Sequence, residues 1–247
     1  MLFSIFNSDA SMAEKIMELT LLVMVLSFTF SIHEFFHAWV AVKCGDDTPK
    51  YQGRITLNPL AHIDPLGAIM MLLAGFGWAK PVQYNPNNLK RYKRQTCERM
   101  ISLAGVTANY ITAIVASCIV PVIVCWFWHS AESSEKMQLF ITLVLKLFYY
   151  LREYSFLFLA FNLLPVPPLD GYRFISTFIP YKHRRFFENI SRYSYYIFFA
   201  LLLMGRFGNL NILSKIIDLV AWPFRYPISF LEKGLYDLLK VPVFFRL

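Results

Sequence analysis

Charge is what this sequence has least of. Only 16% of its 247 residues are Asp, Glu, Lys or Arg, against about 25% in soluble proteins. That excludes a water-soluble globule and a disordered tail. Cysteine is scarce too: Cys44, Cys97, Cys118 and Cys125 contain no C-x-x-C pair, which excludes a secreted disulfide scaffold. Cys118 and Cys125 lie in an apolar run and read as small buried hydrophobes. No basic helix and no RNA-binding aromatic motif accompanies the net charge of +8, so nucleic acid is not an expected partner. There is no internal repeat, no low-complexity tract and no Pro/Ser/Gly linker, so 1–247 is expected to form a single domain.

Apolar residues are what the chain has in excess. It is 57% hydrophobic and 17% aromatic, with a mean hydropathy of +0.46, the composition of an integral membrane protein embedded in a lipid bilayer. The expected fold class is an all-α polytopic helix bundle. The first apolar stretch, 17–42, is long enough for a hydrocarbon core of about 30 Å. Glu14 and Lys15 give it a poor n-region for a cleavable signal. The stretch 65–79 is too short for a span, contains Gly67, Gly75 and Gly77, and reads as re-entrant. Further helices are expected at 100–128, 137–164 and 193–204. Region 210–231 holds Lys215, Asp218, Pro223 and Arg225, and reads either as a kinked span or as an interfacial helix. Arg152 and Glu153 interrupt the fourth apolar run; being adjacent, they point apart along a helix, so either the span begins later or they face the bundle interior.

Loop charge sets the orientation. Residues 80–99 and 171–192 are rich in Lys and Arg and are expected in the cytoplasm, whereas 129–136, with Glu132 and Glu135 against Lys136, is expected outside. Basic flanks on both sides of 65–79 make that segment enter and leave by one face. The stretches 53–57 and 81–84, bracketed by Gly, Asn and Pro, are expected as short strands at the cytoplasmic membrane surface.

The chemistry sits in HEFFH at 33–37. His33 and His37 stand at i and i+4 on one helical face, so both imidazoles can share one metal ion, with Glu34 placed as general base. A chance H-E-x-x-H in this composition is about one in a few hundred. Three ionisable residues near the end of a membrane helix are expensive unless they serve a site. Zinc suits two imidazoles and a carboxylate, with a fourth position open to water. Asp170, in NLLPVPPLDG (162–171), is one source of that carboxylate. Taken alone, Pro-Pro-Leu-Asp-Gly reads as a turn in which Asp170 caps the next helix. Loop charge brings the ends of the first and fourth spans to one face, which makes a His-His-Asp set geometrically natural.

HEFFH and NLLPVPPLDG together resemble the paired motifs of the site-2 protease family of intramembrane zinc metalloproteases. LNPLAHIDPLG (57–67) and GWAKPVQYNP (77–86) resemble its compact prokaryotic branch. The resemblance covers about 30–175; it implies a catalytic core at about 15–175, with C-terminal helices at about 190–235. It also implies that His33, His37 and Asp170 bind one zinc ion per chain and that Glu34 is the catalytic base. GVTAN (105–109) matches the family's G-P-x-x-N except for Val106 in place of proline. By the same analogy Asn109 and Asn162 position substrate, while polar glue between helices is the alternative for both. His62 and Asp64 belong to the branch motif, as a pair supporting the site or as turn residues.

The implied function is hydrolysis of peptide bonds in transmembrane protein substrates, in the cell membrane of a prokaryote, near the cytoplasmic face. A substrate helix must unwind to expose its carbonyls, and an exposed strand at 53–57 or 81–84 could hold it extended. Rival enzymes lack their residues. A lipid desaturase needs several histidine boxes, and five histidines with one close pair cannot supply them. No Gly-x-Ser-Gly nucleophile or Gly-x-Gly-Asp is present. The non-enzymatic alternative is a membrane binding or regulatory protein on the same scaffold. No PDZ-like or nucleotide-binding domain is expected, and no motif sets an oligomeric state.

Overall fold

The computed structural model describes residues 11–67, 79–129, 134–183 and 212–240, together with Asn189, Tyr193 and Tyr196. Helix α1 (Met12–Lys43) begins with a reciprocal cap. The Ser11 hydroxyl accepts from the Glu14 N–H at 3.3 Å and the Glu14 carboxylate accepts from the Ser11 N–H at 2.8 Å, which satisfies two donors that a first turn leaves orphaned. The helix runs 32 residues, about 48 Å at 1.5 Å per residue. It stops where Gly45 takes a φ of +106°, a conformation that a side chain would strain.

The chain continues through α2 (Thr48–Tyr51), single 3-10 turns at Pro59–Ala61 and Pro86–Asn88, α3 (Arg94–His129), α4 (Glu135–Asn162), α5 (Asp170–Ser176), a 3-10 turn at Tyr181–His183 and α6 (Ile212–Leu238). The described fold is mostly helical. Among the described residues, α1 and the Arg94–Phe127 part of α3 are long and apolar enough to cross a membrane. Most of the expected re-entrant segment and fifth span, and part of the loop 129–136 that is expected outside, lie outside the described residues.

The expected strands are corrected. Stretches 53–57 and 81–84 are irregular, and the pairing among the described residues is an isolated antiparallel bridge, Ile63 to Ala79. The local reasons are plain. Gly53 turns the chain at φ +67°, Arg54 donates to the Ala61 carbonyl, and the Val82 N–H is taken by the Glu34 carboxylate at 2.9 Å. A backbone N–H already used by a side chain is lost to a ladder. The bridge, with Lys80 N–H donating to the His62 carbonyl at 2.8 Å, pins together the two ends of the 65–79 segment.

Small buried residues bring the helices close. Ala108, Ala113 and Ala116 on α3 are almost wholly buried, which lets neighbouring backbones approach. Val106, Leu159, Ala160, Ile217 and Ala221 join α3, α4 and α6 in one cluster. Leu22 and Leu26 pack α1 on Tyr154 and Phe158 of α4.

Arg152 and Glu153 find their explanation in α6. Arg152 Nη1 donates to both oxygens of Glu232 at 2.7 and 2.9 Å, and Arg225 Nη2 donates to Glu153 at 3.1 Å. Although adjacent residues point apart along a helix, the two side chains on α4 also meet each other. Arg152 Nε reaches back to Glu153 at 3.1 Å, because long side chains bend across the angle that separates their Cβ atoms. Within region 210–231, residues 212–231 are therefore part of one helix, α6, laid against α3 and α4, with Pro223 and Pro227 inside it.

Candidate metal centre

The H-E-x-x-H sequence lies near the C-terminal end of α1, where α3 crosses it. His33 and His37 are both buried. Their Nε2 atoms are 3.0 Å apart, and Asp170 Oδ2 lies 3.1 Å from His33 Nε2 and 3.0 Å from His37 Nε2. Tetrahedral zinc with bonds of about 2.0–2.1 Å needs ligand atoms about 3.3 Å apart. The triangle matches that edge to within a few tenths of an ångström.

Donor chemistry agrees with the spacing. His37 Nδ1 lies 2.7 Å from the Ile101 carbonyl oxygen, which can only accept, so Nδ1 carries the proton and Nε2 presents a lone pair. Asp170 Oδ2 is buried, and among the described residues the Nε2 atoms of His33 and His37 are its polar neighbours. Lone pairs that converge on one buried point are repulsive until a cation joins them. The set fits a divalent metal of the zinc class.

A stripe on α3 makes this approach possible. Ile101, Gly105 and Asn109 recur every four residues, so they share a face, and that face meets the two histidines. A Cβ at Gly105 would stand 2.5 Å from both His33 Cε1 and His37 Nε2. Glycine at 105 is thus required by contact with the imidazoles. Asn109 is fully buried, with Nδ2 3.1 Å from His33 Nδ1.

Asp170 is delivered by a break between helices. Pro165, Pro167 and Pro168 cannot continue α4, and α5 starts at Asp170 itself. Leu169, not Asp170, is the N-cap, and no side chain caps the helix. Of the turn-and-cap alternative the turn is present, with the Leu169 N–H donating to the Val166 carbonyl at 3.0 Å, whereas the Asp170 carboxylate meets the histidines instead of capping. A Cβ at Gly171 would lie 2.2 Å from the Leu163 carbonyl oxygen, so the Asp-Gly pair lets α5 seat on the end of α4. At the other end of α5, Arg99 donates to Thr177 Oγ1 at 2.9 Å and lies 3.7 Å over the Phe178 ring.

Other expected residues are placed as follows. Glu34 lies beside the triangle, half-buried, with Oε2 accepting from the Val82 N–H. Asn162 is half-buried and donates to the Phe158 carbonyl of its own helix at 3.0 Å. His62 is buried, and its Nε2 donates to the Thr56 carbonyl at 2.8 Å; Asp64 accepts from the Gly67 N–H at 2.9 Å. Both build the loop. Sequence reasoning missed Ile101, Val82 and Arg99. Two act through backbone atoms, which no residue type announces, and Arg99 reads as one more loop cation.

Comparison with known proteins supplies the class. The family model described as "Peptidase family M50" matches residues 21–205, and the chain belongs to that family. The resemblance to site-2 proteases is thereby borne out. Among individual proteins, the chain is 37% identical over 182 residues to "Putative zinc metalloprotease YwhC" of Bacillus subtilis (strain 168), covering 74% of this chain and 80% of that one. It is 26% identical over 177 residues to "Putative zinc metalloprotease Rip2" of Mycolicibacterium smegmatis, covering 70% of this chain and 62% of the relative. It is 28% identical over 162 residues to the protein of that name from Mycobacterium tuberculosis (strain H37Rv), covering 61% and 55%. No solved structure matches it.

Proposed function

We propose that this chain is an intramembrane protease of the H-E-x-x-H type, which cuts peptide bonds within transmembrane segments of other membrane proteins. One zinc ion per chain is held by His33, His37 and Asp170. The observation that carries the reading is the triangle of His33 Nε2, His37 Nε2 and Asp170 Oδ2 with sides of 3.0–3.1 Å, its two histidines on an apolar helix beside Glu34. Zinc bound there would supply a Lewis acid that polarises a peptide carbonyl and makes water nucleophilic near neutral pH.

Glu34 is the general base. Its carboxylate accepts the proton of the attacking water and then returns it to the leaving amine. The Val82 N–H holds one carboxylate oxygen, leaving the other to the water. Burial of both histidines keeps bulk solvent from competing for the ligand atoms. A substrate helix hides its carbonyls in i→i−4 bonds, so it unwinds locally before it reacts.

The bundle is polytopic, with its site near the cytoplasmic face of a prokaryotic cell membrane. The pinned ends of the 65–79 segment support its re-entrant reading, and basic loops support the orientation.

The test uses Glu34→Gln. Purified wild type is expected to carry about one zinc per chain, and the variant should keep that zinc. In cells, membrane-protein fragments that accumulate with wild type should vanish with the variant. A Glu34→Gln protein that produces the same fragments would sink the proposed chemistry and favour the non-catalytic alternative.

A further inference from the structure

The two histidines are held from behind by partners of different kinds. His37 Nδ1 faces the Ile101 carbonyl at 2.7 Å, an acceptor that fixes one tautomer. His33 Nδ1 faces the Asn109 side-chain amide at 3.1 Å. That amide can donate through its nitrogen or accept through its oxygen, and the two ends are nearly equal in shape.

Each end of the amide selects a different His33. With nitrogen inward, Asn109 donates to a lone pair on Nδ1, so the imidazole proton sits on Nε2. Nε2–H then points at Asp170 Oδ2, 3.1 Å away, and occupies the centre of the triangle. With oxygen inward, Nδ1–H donates to Asn109 Oδ1, and Nε2 offers its lone pair to a metal. Among the described residues Asn109 Oδ1 has no hydrogen-bond partner, so none at the far end of the amide opposes the turn. The site is coherent in both settings, and the amide is what sets which one holds.

We infer that Asn109 is a positioning residue for the metal: its oxygen accepts from His33 Nδ1–H and holds His33 in the metal-binding tautomer. This rests on the zinc reading above. It assigns Asn109 to the ligand histidine, in place of the substrate contact that the family resemblance implies. The Ile101 carbonyl does the same for His37, so one face of α3 orients both ligands from behind. Such supporting partners are worth about 10- to 100-fold in metal affinity.

The amide's two-sidedness makes the test sharp. Asn109→Asp keeps size and shape but can only accept, whereas Asn109→Ala and Asn109→Leu offer nothing. Full-length wild type and the three variants, purified in detergent with zinc, are dialysed against graded EDTA, and zinc per chain is measured. Asn109→Asp is expected to hold zinc at least as well as wild type. Asn109→Ala and Asn109→Leu should lose it at about 10- to 100-fold lower chelator. Fragment production with Asn109→Asp gives a second readout, expected to persist. If Asn109→Ala holds zinc as wild type does, or Asn109→Asp releases it as Asn109→Ala does, the inference is overturned. A wild type without zinc would instead overturn the zinc reading on which it rests.

Discussion

Asp170 and Asp46 are both buried, one at the proposed metal centre and one in the loop that follows α1, and their neighbours are opposite in kind. Asp46 is surrounded by donors: the Thr48 N–H at 3.1 Å, the Thr48 hydroxyl at 2.6 Å, the Asn85 N–H at 2.6 Å and the Asn88 amide at 2.9 Å. Asp170 faces a pair of imidazole nitrogens, one of which presents a lone pair. A carboxylate ringed by donors is completed within the chain and ties its segments together. A carboxylate facing acceptors is completed from outside, by a cation. Burial alone marks neither as functional; the sign of the surrounding groups does.

The largest effect should come from inverting the acceptor set. Asp170→Asn keeps the shape and removes the anionic oxygen, so zinc should fall to a small fraction per chain and cleavage to background. Thermal unfolding of the metal-free protein should barely change, since the Asp170 side chain caps nothing. A variant that keeps both zinc and activity would make Asp170 equivalent to Asp46 and end the contrast. Gly105→Ala attacks the same site by volume. Its Cβ would meet both imidazoles at 2.5 Å, and displaced ligands should lower zinc affinity and activity by about 10-fold or more. Alanine favours a helix over glycine by about 1 kcal/mol, so α3 itself gains. Loss of zinc from a protein that is no less helical, by circular dichroism, is the expected signature.

Much of the metal side of this comparison is legible in the sequence, because its chemistry needs rare residues at fixed spacing. His33, Glu34 and His37 announce themselves by i, i+4 geometry, and Asp170 by the prolines that end α4 on the face where loop charge also brings α1. The Asp46 side is not legible. In Cys-Gly-Asp-Asp-Thr it reads as a loop acid, and two of its donors come from some forty positions downstream. The strands expected at 53–57 and 81–84 fail for a related reason. Their Gly, Asn and Pro brackets are real, but Val82 spends its N–H on Glu34, a long-range bond that local signals cannot reveal. Arg152 likewise shows its cost in the sequence and hides its partner, because Glu232 lies on α6, eighty residues away.

A third buried carboxylate sharpens the rule. Glu232 is faced by a cation, and both side chains of the Arg152–Glu232 pair are 11% exposed. Arg152→Met leaves that carboxylate uncompensated and should cost about 3–5 kcal/mol, read from chemical or thermal unfolding in detergent with zinc content unchanged. Adding Glu232→Leu removes the orphaned charge and should restore most of the loss. If the double variant is as unstable as the single one, the pair is not what binds α6 to α4.

The smallest effect belongs to Asp46, and it has a pH signature. Burial pushes this carboxyl up, but the hydrogen bonds from Thr48, Asn88 and Asn85 outweigh burial and hold it below the ordinary carboxylate value. A lowered folded-state pKa means that the stabilisation is fully present above the unfolded value of about 3.9. It is lost as pH falls through the folded value, because the unfolded chain then binds the proton more readily. Asp46→Asn turns one acceptor into a donor facing another donor, the Asn85 N–H or the Asn88 amide. That should cost about 1–3 kcal/mol at neutral pH. Below about pH 4 the gap should shrink, since protonated Asp46 also loses acceptors. Unfolding midpoints measured across pH for wild type and variant therefore converge toward the acid end. Zinc content at neutral pH stays equal, because Asp46 touches no ligand; activity falls modestly, since the knot holds 85–88 and through it the Val82 N–H on Glu34. Parallel stability curves down to pH 3, with no convergence, would show that the donors around Asp46 do not favour its charged form, and the contrast with Asp170 would then rest on geometry alone.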